Sequence, residues 1–150
     1  MSNTKRIQAS IIIDAPLHTV FDVVTDWNKQ SNWVLLTKVR ATSTNSKKAG
    51  GTIEAFTGIG SFGFNDTMVI TAWSYGTRCE VSHTGNIVKG RGVFETSKKG
   101  TATQFTWTEY VEVPFGFMGE IGWFIVKPIA LIGLKTTLKR LKNYITELNK

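Results

Sequence analysis

Two side chains have the type and setting that proton transfer or polar ligand recognition requires. Cys79, Val81 and His83 recur at a spacing of two, so a strand that turns Val81 inward turns His83 inward with it. An inward imidazole is a general base near neutral pH. A histidine at a cavity rim, or one whose ring nitrogens are satisfied in the core, has the same spacing. Glu109 shares a strand side with Phe105, Trp107 and Val111. A carboxyl among aromatic rings can serve as an acid or hold a polar ligand group. It can equally lie at the surface where a strand bulges, or pair with an arginine. Glu54, Asp66, Arg91 and Glu95 are further polar strand residues. Their facing stays open, because a one-residue slip reverses it. Arg91 with Glu95 or Glu109 fits a buried pair or a surface cross-strand pair. His18, beside Leu17, is expected to face solvent.

Other chemistries lack their residues. His18, His83 and the lone Cys79 do not supply metal-ligand spacing, and one cysteine forms no disulfide within the chain. No nucleophile-elbow motif is present. Gly58 to Gly63 loosely resembles a nucleotide-binding glycine loop, but no helix follows to receive a phosphate, so it reads as a hairpin turn. No metal and no cofactor are expected.

Those two side chains must be positioned by sheet. Residues 6–13 alternate with Ile7, Ala9, Ile11 and Ile13 on one side, the two-residue period of a strand. Asp14-Ala15-Pro16 is a helix-start signal, and Leu17, Val20, Phe21 and Val24 follow at the spacing of a short helix with one buried face. Asp26 is a cap candidate for a second short helix that carries Trp27 and ends near Trp33. Six strand candidates come next: 34–42, 52–57, 64–73, 78–84, 88–96 and 101–113. Short polar or glycine-bearing turns join them, which implies an antiparallel meander.

From Gly116 to Leu148 the period becomes helical. Leu134, Leu138, Leu141, Ile145 and Leu148 lie on one face, with Lys135, Lys139, Arg140 and Lys142 mainly off it. Ile121, Phe124, Ile125, Ile129, Leu131 and Ile132 make the first half apolar on more than one side. Pro128 is expected to bend or restart the helix. The stretch 115–134 has the ~20 residues of a spanning helix, but it carries Glu120, Lys127 and Pro128. It is therefore expected to be a buried helix covering the sheet.

The chain has 150 residues, 41% apolar and 19% charged, which suits one folded domain over 1–150, with 1–5 expected as a flexible tail. Lys5 and Arg6 are not followed by an apolar signal-peptide core, and a cytoplasmic protein is expected. The net charge is +7. Lys127, Lys135, Lys139, Arg140, Lys142 and Lys150 are opposed near the end only by Glu147, which suits an anionic membrane surface or a solvated helix face. The other basic residues are scattered, so nucleic-acid binding is not expected.

The order is α+β: strand, two short helices, six strands, long helix. It predicts a curved antiparallel sheet of about seven strands wrapped around the terminal helix. Several local motifs carry a resemblance: Ile11-Ile12-Ile13-Asp14-Ala15-Pro16, then Val20-Phe21 and Val24-Thr25-Asp26, Trp33 after the second short helix, and Gly100-Thr101 leading to Phe105-Thr106-Trp107. In this order, over residues 6–148, they resemble the START-like (SRPBCC) superfamily with its helix-grip fold, in particular its polyketide cyclase/dehydrase and lipid-transport branch. The resemblance implies a cavity for a small hydrophobic or amphipathic ligand of lipid, quinone or aromatic polyketide type. It supplies no catalytic set that can be carried over. The cavity is expected between sheet and terminal helix, lined by Trp33, Phe56, Met68, Val81, His83, Phe94, Phe105, Trp107, Glu109, Phe117, Ile121, Phe124 and Ile125. A cyclase or dehydratase using His83 and Glu109, and a basic membrane-surface or partner-binding protein, are the alternatives.

Overall fold

The computed structural model describes residues 3–113 and 116–150, with side chains described for 4–113 and 119–150. Seven strands run β1 (Asn3–Ile13), β2 (Thr37–Ala41), β3 (Thr52–Ile59), β4 (Phe62–Ser74), β5 (Arg78–His83), β6 (Gly90–Lys99) and β7 (Ala102–Val113). They form one antiparallel sheet in the order β1-β7-β6-β5-β4-β3-β2. Between β1 and β2 lie helix α1 (Leu17–Val24) and a short 3₁₀ helix (Trp27–Asn32), and helix α2 (Gly116–Leu148) follows β7. The α+β order and the curved seven-stranded sheet are those the sequence predicts.

Several boundaries differ for identifiable reasons. β1 begins at Asn3, paired with Val113, so residues 3–5 belong to the sheet and are not a tail. β2 is shorter than 34–42. The Val34 amide donates back to the Gln30 carbonyl at 2.8 Å, and Leu36 has φ +55, a left-handed backbone that departs from the extended conformation of a strand. Pro16 occupies the cap position of α1, and neither Asp14 nor Asp26 makes a side-chain capping bond. At the β3–β4 hairpin Gly60 has φ +62, which glycine adopts without the Cβ clash.

The core gathers Ile13, Phe21, Val24, Trp33, Ile70, Phe105, Leu138, Leu141 and Ile145, all at most 1% exposed. Each such side chain contributes about 1.5–3 kcal/mol by burial. Among the described side chains of α2, only those of the second half contribute to it. Thr137 Oγ1 accepts from the Leu35 amide at 3.1 Å, and Arg140 Nε donates to the Trp33 carbonyl at 3.0 Å, which fastens that half to the segment after the 3₁₀ helix.

The first half of α2 bears on two expectations. The helix passes through Pro128 without a restart. Pro128 lies on the exposed side beside Phe124, whose carbonyl, left without the missing amide, can turn to water. None of the described side chains of this half is buried either. Phe124 is 83%, Ile129 68% and Ile132 65% exposed. Among the described residues α2 is the one helix long and apolar enough to cross a membrane, and 11% of its most apolar window is buried. The reason is placement: in the sheet α2 lies against β1 and β7, while the 3₁₀ helix packs on β2 at the other side.

Candidate functional site

Cross-strand pairing brings the polar residues together. Met68 pairs with His83 across β4–β5, and Ala55 with Asp66 across β3–β4. A further row runs Ile70, Val81, Gly92, Glu109, Ile7 across β4, β5, β6, β7 and β1. Gly92 occupies the middle of that row for a steric reason. A Cβ there would lie 2.7 Å from Glu109 Oε1, so only glycine leaves the carboxyl its place.

The outcome is a chain of contacts. Trp107 Nε1 donates to Glu109 Oε1 at 2.7 Å. His83 Nε2 meets Glu109 Oε2 at 3.1 Å, and His83 Nδ1 meets Asp66 Oδ2 at 2.7 Å. The His83 side chain is 6% exposed, Asp66 10% and Glu109 23%. The other Asp66 oxygen, Oδ1, is buried and has no hydrogen-bond partner among the described residues.

Burial alone pushes the His83 imidazole down from its ordinary value. The hydrogen bonds and charges of Asp66 and Glu109 outweigh this and raise it to about 9. At neutral pH the ring is therefore an imidazolium donating from both nitrogens, which removes the general-base role. Two carboxylates against one imidazolium leave the cluster one negative charge. Cys79, also on the cavity wall, has its thiol pushed up to about 12 by burial, so it is not a nucleophile. Among the described residues no group of three His, Cys, Asp or Glu side chains is arranged to hold a metal ion.

The sign of the His83 shift sets a pH dependence. The folded value lies above the ~6.5 of an unfolded histidine, so the bound proton favours the fold. That contribution is complete below about pH 6.5, declines as pH rises, and is gone above about 9. With Glu109 partly solvated, its size is on the order of 2 kcal/mol. Urea unfolding of the wild type is expected to lose this much between about pH 7 and 10, whereas His83→Gln lacks the loss. Superimposable pH profiles for the two proteins would mean that the folded imidazole is uncharged.

This cluster forms one end of a cavity of about 150 Å³. Its apolar wall comprises Val39, Ile53, Ala55, Met68, Val81, Phe94 and Trp107, with Trp27, Gln30 and Val34 contributed by the 3₁₀ helix and the turn after it. Of the residues expected to line it, Met68, Val81, His83, Phe94, Trp107 and Glu109 are in the wall. The others are elsewhere. Trp33 and Phe105 are fully buried behind it. Trp33 packs 6.5 Å from Phe94 and 6.1 Å from Trp107, and Phe105 5.2 Å from Phe94, so they support the wall without reaching the space. Phe56 alternates with Ala55 and faces the opposite side of β3, where it borders shallow surface grooves with Lys38. Ile121, Phe124 and Ile125 are exposed on α2, no described α2 side chain lines the cavity, and the side chain of Phe117 lies outside the described residues. Among the described residues the roof is thus the 3₁₀ segment, not the terminal helix.

The remaining polar strand residues pair on the outer face. Arg40 meets Glu54 at 2.7 Å, Arg91 meets Glu80 at 2.9 Å, and Arg78 reaches both Glu80 and Glu95. Arg91 therefore pairs with neither Glu95 nor Glu109; its guanidinium lies 4.0 Å above the Tyr110 ring. Asp66 and Gly92 are the residues of the polar cluster that sequence reasoning left unassigned, and Trp27, Gln30, Val34, Val39, Ile53, Ala55 and Cys79 are wall residues it did not name. For Gly92 a signal existed: a single glycine inside a strand marks close approach of another group.

Residues 4–146 match the family described as polyketide cyclase / dehydrase and lipid transport. A comparison with curated proteins finds no match. Among solved structures the chain is similar to the protein TTHA0849 from Thermus thermophilus (12% identity, 97% of this chain and 100% of that chain, TM-score 0.82). It is similar to the Zhui aromatase/cyclase from Streptomyces sp. R1128 (12% identity, 99% and 97%, TM-score 0.80). It is also similar to a START superfamily protein from Mycobacterium smegmatis (14% identity, 95% and 98%, TM-score 0.77). At these identities the likeness is one of fold.

Proposed function

The chain belongs to the polyketide cyclase/dehydrase and lipid-transport family of the START-like superfamily, and from that premise we propose that it binds a small one-ring amphipathic ligand whose polar end donates a hydrogen bond. The observation that carries this reading is Asp66 Oδ1, a buried acceptor with no partner among the described residues, on a side chain that lines an apolar cavity. Leaving such an atom unpaired costs roughly 1–3 kcal/mol, which a ligand hydroxyl or amine would offset. Size supports one ring: an apolar cavity of about 150 Å³ accepts a molecule such as benzene, well short of a fatty acyl chain. The negative cluster disfavours a carboxylate at the same position.

Titration calorimetry with phenol, toluene and benzoate tests this. Phenol is expected to bind best and benzoate worst. Asp66→Ala is expected to weaken phenol about tenfold or more while leaving toluene nearly unchanged. Equal wild-type affinity for phenol and toluene, or a preference for benzoate, would reject the reading.

The meeting of His83, Glu109 and Asp66 at one cavity end favours a second reading, a proton-transfer enzyme of cyclase or dehydratase type. Asp66 would then be the proton acceptor, held in place by its contact with His83. Its test is exchange of the α-hydrogens of a one-ring cyclic ketone with deuterated solvent. Exchange no faster than in protein-free solution rejects catalysis.

A further inference from the structure

α2 presents one outward stripe whose chemistry changes halfway along. Ile121, Phe124, Ile125, Ile129 and Ile132 recur at helical spacing and are all between 47% and 83% exposed. The same register continues as Lys135, Lys139 and Lys142, all exposed. None of these three lysines forms an ion pair among the described residues. The inward stripe, Leu138, Leu141 and Ile145, is held in the core.

We propose that this outward stripe docks on an anionic phospholipid bilayer, with residues 121–132 in the interface and the lysines at the lipid headgroups. The proposal is independent of what the cavity holds. An apolar helix face continued by basic residues is the arrangement that lies in a membrane surface, burying apolar area and attracting anionic lipid together. The chain's net charge of +7 adds attraction of the same sign. Spanning does not fit the fold, because both ends of the apolar stretch are tied to it. Glu120 lies 2.8 Å from Lys5 of β1, and Leu134 packs against the core that holds Leu138, Leu141 and Ile145. A second copy of the chain is a poorer occupant. The strip 121–132 is about 18 Å long and one helix wide, offering a few hundred Å² where a stable interface takes ~800 Å² from each partner.

The test is co-sedimentation of the full chain with vesicles of phosphatidylcholine containing about a third phosphatidylglycerol, set against phosphatidylcholine alone. The wild type is expected to sediment with the anionic vesicles and to be released as salt rises. Ile125→Glu with Ile129→Glu is expected to weaken binding at least about tenfold. Reversal of Lys135, Lys139 and Lys142 to glutamate is expected to weaken it roughly fivefold or more per residue. Because these side chains are exposed, unfolding midpoints should stay close to wild type. Should the paired glutamates disturb the helix, Phe124→Ser carries the same expectation. No binding to anionic vesicles at low salt, or equal binding by wild type and variants, overturns the proposal. So does a wild-type dimer that Ile125→Glu with Ile129→Glu splits into monomers, since a second copy would then own the face.

Discussion

His83→Leu is expected to lower the unfolding free energy at neutral pH by about 3 kcal/mol, although leucine suits the apolar wall beside it. Removing the imidazolium leaves Asp66 and Glu109 facing one another with no countercharge, and a buried pair broken on one side costs about 3–5 kcal/mol. The lower end applies because Glu109 is 23% exposed and keeps the Trp107 indole as a donor. Adding Asp66→Asn and Glu109→Gln to the same chain is expected to return most of the loss, because the uncompensated charges are then gone. Urea unfolding of the single and triple variants measures both effects. A single-variant loss below about 1 kcal/mol would mean that the cluster is hydrated in the fold, and a triple variant no better than the single one would mean that His83 acts by packing.

The second large effect separates the two halves of one helix. Leu141→Ala is expected to cost about 3 kcal/mol, since a fully buried leucine leaves a cavity when truncated. Ile125→Ala, at 61% exposed, is expected to cost under about 0.5 kcal/mol. Thermal melting of the two variants decides it. Similar losses in both would mean that the first half of α2 is covered in solution by something that stabilises the protein.

Composition and period read alike for those halves, and the limits of the sequence reading begin there. The strands, the short helices and the long helix were legible because their periods of two and of three to four are local properties. The placement of an apolar helix is not local. Ile125 and Leu141 are both apolar residues on helical stripes, and only the position of the 3₁₀ roof over the sheet decides which one has something to cover. Facing within strands has the same limit. Counted back in twos from Trp73, β4 turns Val69 and Thr67 inward and Asp66 outward. The register shift between Ile70 and Ala72 reverses that parity, so Asp66, Met68 and Ile70 face the interior. A bulge of this kind leaves no clear mark in the residues themselves. β7 is unbroken from Ala102 to Val113, and there Glu109, Trp107 and Phe105 share the side that their spacing of two assigns.

The sheet order carries a consequence for how the chain is made. Among the described residues β1 is an edge strand whose sole partner in the sheet is β7, with Ile7 opposite Glu109 and Ile11 opposite Phe105. About a hundred residues separate the two strands, as the bond from Gln8 to Thr108 illustrates. During synthesis the first strand therefore emerges long before its partner exists, with Ile7, Ala9 and Ile13 uncovered. Strand pairings this far apart in sequence form late and slowly, and an unpaired strand edge is a template for another chain. A nascent or truncated product ending before β7 would retain every residue of the cavity wall up to Phe94 yet lack the strand that closes the sheet. Its hazard is self-association, so β7 decides whether the edge of β1 stays open to another chain.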